Sequence, residues 1–128
     1  MDIQFVKDAL VDNIYNEYKL LVSNRFYADD FACVTLYKML IKSIATFCVV
    51  CGYVPDGMTE DEINNAADGT LTLSACQTIL SDVVVTEGLR NTKRPINTEV
   101  IYQIVYDRSY RFIPLDQRPK PDFMNPPE

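Results

Sequence analysis

The stretch Ala28–Gly52, ADDFACVTLYKMLIKSIATFCVVCG, decides the fold that this sequence predicts. Its apolar residues recur at intervals of three and four, the period of an α-helix, and cover most of the circumference. The polar stripe consists of Thr35, Lys38, Lys42 and Thr46. Because a helix with one narrow polar stripe is covered by neighbours on its other sides, the sequence predicts a central core helix.

Both ends of this helix carry capping chemistry. Asp29 and Asp30 can accept hydrogen bonds from the free N–H groups of a first turn, and Gly52 followed by Pro55 predicts the end. A membrane-spanning helix needs about 20 consecutive apolar residues, whereas polar residues interrupt the run after Lys42. We therefore expect a buried helix and no membrane contact.

Three further segments have helical signals. Residues 2–23 have the pattern of an amphipathic helix, which we expect to lie antiparallel to the central one. Thr59 and Glu62 have the spacing of a capping box and begin a short acidic helix. Residues 73–87 predict another helix, with Gly88 as its end.

Residues 98–111 leave two alternatives open. Asn97 and Thr98 are suitable cap residues for a helix, while the alternation that begins with Val100 and Tyr102 suits a strand. The length of the segment favours the helix.

The C-terminal end differs in composition from the rest of the chain. Five of the seven prolines fall within residues 113–128, which favours an extended arm. The predicted fold is therefore all-α: a bundle of four to five helices around a central apolar helix, with an extended Pro-rich C-terminal arm. The helical domain would span residues 1–112 and the arm residues 113–128.

Charge is distributed unevenly along the chain, whose net charge is -6. Residues 1–88 hold 13 acids and 5 bases, whereas residues 89–128 hold 5 acids and 7 bases. Because phosphate contacts need clustered Lys and Arg, the acidic body argues against nucleic acid as the main ligand. The basic end is a candidate segment for docking on an acidic surface, such as that of a sister subunit.

The residue types that usually carry catalysis or metal binding are scarce. The chain has no histidine, the commonest general base and transition-metal ligand. We interpret Cys33, Cys48, Cys51 and Cys76 as buried structural thiols in a reducing compartment such as the cytoplasm. Cys48 and Cys51 form a CVVC motif at a helix C-terminus, where the dipole disfavours a thiolate. We expect no metal, no cofactor and no enzymatic activity.

One short motif has a catalytic counterpart. Tyr27–Asp30, YADD, looks like the catalytic loop of reverse transcriptases, in which paired aspartates hold two metal ions. That loop joins two strands, whereas both flanks here have helical period. The interpretation as a helix cap is therefore favoured.

The residues chosen as a partner-binding site lie near the C-terminus. Tyr102, Tyr106 and Tyr110 are spaced by four and interleave with Arg108 and Arg111. Such a stripe either packs on the central helix or forms an interface, where Tyr and Arg are enriched. The full predicted set is Tyr102, Tyr106, Arg108, Tyr110, Arg111, Phe112, Arg118, Lys120, Phe123 and Met124.

In layout, a helical core followed by a terminal arm resembles the small head-to-tail connector or adaptor proteins of tailed bacteriophages. The resemblance implies a ring of identical copies on a portal in an assembled virion, with each arm in contact with an adjoining structural subunit. The sequence thus predicts a non-enzymatic structural or assembly subunit that forms a homo-oligomer. The alternative is a small acidic cytosolic regulatory or inhibitory protein that binds a single partner through its acidic face.

Overall fold

The computed structural model describes residues 3–24, 30–110 and 115–117. Within these ranges the elements are α1 (Ile3–Asn24), α2 (Asp30–Cys51), α3 (Glu60–Ala67), α4 (Leu73–Ser81), α5 (Val83–Arg90), α6 (Thr98–Tyr110) and a 3₁₀ turn (Leu115–Gln117). No strand occurs in the described ranges. The all-α prediction is confirmed, and the open alternative at residues 98–110 is resolved as helix.

Helix α2 occupies the centre of the bundle. It contacts α1, α3 and α4, and Leu40, Ile41 and Ile44 are completely buried. Each such side chain stabilises the fold by about 1.5–3 kcal/mol through removal from water. The outer face is wider than predicted, because Phe31 and Met39 are exposed beside the polar stripe.

The same helix also has the length and composition of a membrane span. The segment Phe31–Cys51 has a mean hydropathy of 1.6 and passes that test in the described part of the chain. Core helices of soluble proteins pass it too.

The helix ends follow the predicted capping chemistry. Gly52 and Gly69 have φ of 69° and 102°, a left-handed conformation that glycine adopts readily, and they follow α2 and α3. The capping box of α3 is present: the Glu62 amide donates to Thr59 Oγ1 at 3.2 Å, and the Thr59 amide donates to Glu62 Oε1 at 3.1 Å. Local sequence therefore determines where these helices begin and end.

Helix α6 completes the core. Asn97 Oδ1 accepts from the Glu99 amide at 3.0 Å and so caps this helix. Ile101 and Ile104 are buried, and the Tyr102 hydroxyl donates to the Leu80 carbonyl at the end of α4. α6 also contacts α1, so the last helix is fixed from two sides.

The segment 73–87, predicted as one helix, forms two helices, α4 and α5. The described ranges therefore contain six α-helices, whereas four to five were expected. Asp82 has extended backbone, with φ of -71° and ψ of 122°, and separates α4 from α5. α5 also continues past Gly88 to Arg90, because burial of Leu89 secures its last turn. The prediction that Gly88 ends the helix is wrong.

Part of the predicted arm and of the cap of α2 lies outside the described residues. The 3₁₀ turn Leu115–Gln117 is the described portion of the arm. Residues 111–114 and 118–128 lie outside the described ranges, as does Asp29. The extended arm and the aspartate cap therefore stay predictions.

Candidate functional site

Asp82 is the buried carboxylate around which the candidate site is built. It is the C-cap of α4 and the N-cap of α5 at once. Its Oδ1 accepts from the Val85 amide at 2.9 Å, which is the usual bond of an N-cap aspartate. Only 5 % of the residue is exposed, and carboxylates are rarely buried to this extent without partners.

Two more donors reach the same carboxylate from the loop after α2. The Tyr53 hydroxyl lies 2.9 Å from Oδ1 and 2.8 Å from Oδ2, and the Asp56 amide donates to Oδ2 at 2.7 Å. These bonds join segments 29 and 26 residues apart in the chain. Asp82 thus fixes the loop to the α4–α5 junction.

The hydrogen bonds of this cluster favour the ionised form of Asp82. Burial by itself would raise the pKa of Asp82, but the hydrogen bonds from the Asp56 and Val85 amides and the Tyr53 hydroxyl outweigh it, so the pKa is lowered. The hydrogen bond to Asp82 in turn raises the pKa of Tyr53 to about 12. Near neutral pH Asp82 is therefore ionised and the Tyr53 hydroxyl keeps its proton.

A groove of about 410 Å³ opens beside this cluster, which we call the α4–α5 groove. It is lined by Tyr53, Asp56, Ser74, Gln77, Thr78, Ser81, Asp82, Val83 and Val84. Val83 and Val84, at the first turn of α5, are 66 % and 61 % exposed. Among these lining residues there are two carboxylates and no base, so the groove suits a ligand with apolar and cationic groups.

Two bases near the end of α5 contact other parts of the fold: Arg90 in its last turn and Arg94 in the loop that follows. Arg94 Nε donates to Asp12 Oδ1 at 3.1 Å, and its guanidinium lies 5.6 Å from the centre of the Tyr15 ring. Arg90 lies 3.6 Å from Glu99 and lines a second groove, of about 450 Å³, with Tyr18 and neighbouring residues. Because these ion pairs are about half exposed, each contributes little to stability.

The cysteines divide into two groups. Cys33, Cys48 and Cys76 are buried, as predicted, whereas Cys51 is exposed, because the last turn of α2 turns this position outward. Burial raises the pKa of Cys48 to about 12 and that of Cys76 to about 11, so neither forms a thiolate readily. In the described ranges, no three Cys, Asp or Glu side chains come together as a metal site.

The predicted partner-binding residues fall into three groups. Tyr102 is 8 % exposed and bonded within the core, so the structure gives it an internal role. Tyr106, Arg108 and Tyr110 lie on α6, with side chains outside the described set. The remaining members, Arg111, Phe112, Arg118, Lys120, Phe123 and Met124, lie outside the described residues. For the last two groups, partner binding stays a prediction.

The α4–α5 groove was not predicted from the sequence, although a signal for it exists. Asp82 precedes three valines, and an aspartate three residues before Val85 has the position of an N-cap. Three consecutive β-branched residues also lower helix propensity. Together they indicate a break at Asp82, which leaves Val83 and Val84 at the exposed start of a new helix.

Comparison of the chain with protein-family models, with curated proteins and with solved structures gave no match.

Proposed function

We propose that this protein is a non-enzymatic assembly subunit that binds a neighbouring copy of itself through its C-terminal arm. The observation that carries the proposal is the α4–α5 groove, where Val83 and Val84 are exposed beside two carboxylates. Single exposed apolar residues are common on protein surfaces, whereas contiguous apolar patches mark contact sites. Val83 and Val84 are adjacent and form the apolar part of the groove.

The distribution of charge supports the same function. The first turn of α3 carries Glu60, Asp61 and Glu62, and the residues up to 88 are strongly acidic. The last forty residues carry a basic excess, most of which lies before residue 113, and the arm itself contributes Arg118 and Lys120. Opposite charge on the two ends of one chain favours head-to-tail contacts between identical copies. Such contacts form rings when the rotation between copies closes.

The order of the helical domain and the arm along the chain supports a more specific proposal. A compact helical domain followed by a proline-rich arm has the layout of a head-to-tail connector of tailed bacteriophages. In that role the copies would form a ring, and the arm would also contact an adjoining structural subunit of a virion.

The proposal is tested by reversing one charge in the arm of the full-length chain. We expect Lys120→Glu to weaken self-association while circular dichroism shows an unchanged helix content. Lys93→Glu is the matched control, because Lys93 is an exposed base outside the arm. Equal self-association of both variants and the unmodified chain, measured by sedimentation equilibrium, would contradict a role for the arm.

A second candidate function rests on the acidic face of α3. Glu60 and Asp61 are exposed and are not part of the capping box, so their charges are available to a basic partner. A small cytosolic regulatory or inhibitory protein would use this face and would need no contact between copies. It predicts a sedimentation mass of one chain at every concentration, which separates it from the assembly subunit.

A further inference from the structure

We propose that the α4–α5 groove binds residues 118–124 of a second copy of this chain, RPKPDFM. The inference rests on the proposed function, because it names the surface that receives the arm. The apolar, polar and acidic parts of the groove each match a feature of this segment.

The apolar part of the groove suits a proline-rich segment. Proline-rich chains adopt the polyproline II conformation and dock on grooves that present aromatic and apolar surface. The Tyr53 side chain and the exposed Val83 and Val84 provide that surface. The hydroxyl of Tyr53 is held by Asp82, so the aromatic ring is fixed before a ligand arrives and loses little entropy on binding.

The polar wall suits the backbone of the same segment. A polyproline II helix has no internal hydrogen bonds, so its carbonyl groups remain available to a partner. Ser74 and Gln77 lie three residues apart on α4, line the groove and are exposed. Hydroxyl and amide groups of this kind are donors for such carbonyls.

Charge distinguishes this segment from a neutral proline-rich peptide. The groove contributes Asp56 and Asp82 and, among its described lining, no base. The segment contributes two bases, Arg118 and Lys120, and one acid, Asp122. Asp82 is already bound by several donors, so it acts through its charge alone. The side chain of Asp56 is exposed at the groove, which makes it the partner expected for Lys120.

The size of the groove limits the strength of a single contact. A volume of about 410 Å³ is at the small end of ligand pockets, which run from about 300 to 1,000 Å³. One arm in one groove is therefore a weak contact. Closing a ring would link many such contacts, and the effective concentration within the ring would make the assembly stable.

The first test is carbodiimide cross-linking of full-length chains, which joins a lysine to a carboxylate that it touches. Equal amounts of unlabelled chains and chains labelled with heavy nitrogen are mixed before the reagent is added. We expect a link between Lys120 and Asp56 that joins a light peptide to a heavy one. Lys120→Arg keeps the charge but removes the reactive amine, so it should abolish the link without loss of self-association.

The second test changes the groove. Val84→Lys places a positive charge where the basic segment would bind, and we expect it to weaken self-association about tenfold or more, which corresponds to about 1.4 kcal/mol. Val49→Lys is the matched control, because Val49 is an exposed valine on α2 that does not line the groove.

The other possible results of these two experiments contradict the groove, the second copy or the assembly function. Links found only within chains of one isotope would place the arm on its own domain and contradict the second copy. Links from Lys120 to Glu60 or Asp61 alone, with self-association unaffected by Val84→Lys, would overturn the groove but leave the assembly function standing. Absence of any self-association in the unmodified chain would overturn the proposed function and this inference together.

Discussion

The Tyr53 hydroxyl donates to the buried carboxylate of Asp82, with oxygen–oxygen distances of 2.9 and 2.8 Å. This bond connects the loop after the central helix to the junction between α4 and α5. It holds the loop, the start of α5 and the groove between α4 and α5 in one arrangement. The candidate binding surface therefore depends on a single buried acid.

Replacing Asp82 by alanine should destabilise the fold. The substitution removes the acceptor for the Val85 and Asp56 amides and for the Tyr53 hydroxyl, and an unpaired buried donor costs about 1–3 kcal/mol. We expect the free energy of unfolding in urea to fall by about 3 kcal/mol. Asp56→Ala is the control: Asp56 binds Asp82 through its backbone amide, so this variant should be nearly neutral. Equal losses in both variants would contradict the role given to Asp82.

Acid should remove the contribution of Asp82 over a defined range of pH. Its folded-state pKa lies below the ordinary 3.8, so its ionised form stabilises the native state above that value, and the stabilisation is lost as pH falls towards the folded pKa. The difference in unfolding free energy between the unmodified chain and Asp82→Asn should be constant above about pH 5 and should shrink below about pH 4. A difference that grows on acidification would contradict the direction of the shift.

Tyr102 should matter for stability and leave self-association unchanged. Its hydroxyl donates to the Leu80 carbonyl, and its side chain is buried. Tyr102→Phe keeps the ring but removes the donor, so we expect a loss of about 1 kcal/mol in unfolding free energy. The sedimentation mass of the folded variant should equal that of the unmodified chain. Lost self-association in a fully folded variant would instead return Tyr102 to the interface.

Thiol labelling should separate Cys51 from the other cysteines. Cys51 is exposed, whereas Cys33, Cys48 and Cys76 are buried, and the pKa values of the last two are raised. At mildly alkaline pH we expect one thiol to react quickly with a maleimide or an aromatic disulfide and three to react slowly. Cys51→Ser should remove the fast phase alone. Fast labelling of two or more thiols in the native state would contradict the described packing.

Helix positions were largely predictable, because local signals determine them. The apolar period around Leu40 and Ile44 predicts the central helix, and the glycines after α2 and α3 mark their ends. The capping box at Thr59 is a four-residue signal that the structure confirms. In each case the pattern lies within one segment, so it can be recognised without knowledge of the tertiary contacts.

The candidate site was not predictable in the same way, because its parts are far apart in the sequence. No local pattern shows that Tyr53 and the Asp56 amide reach a carboxylate more than 25 residues later. In the helical period, Asp82 has the position of a surface residue, whereas it is a buried cap shared by two helices. Val83 and Val84 are exposed because the helix is broken at Asp82. The valine side chains themselves give no sign of this exposure.

Sedimentation equilibrium of the unmodified full-length chain over a wide range of concentrations tests the central claim most directly. Self-association through the arm predicts masses that rise with concentration to a whole-number multiple of the chain mass, and that fall when salt screens the contact between arm and groove. A mass of one chain at every concentration and at low salt would contradict it.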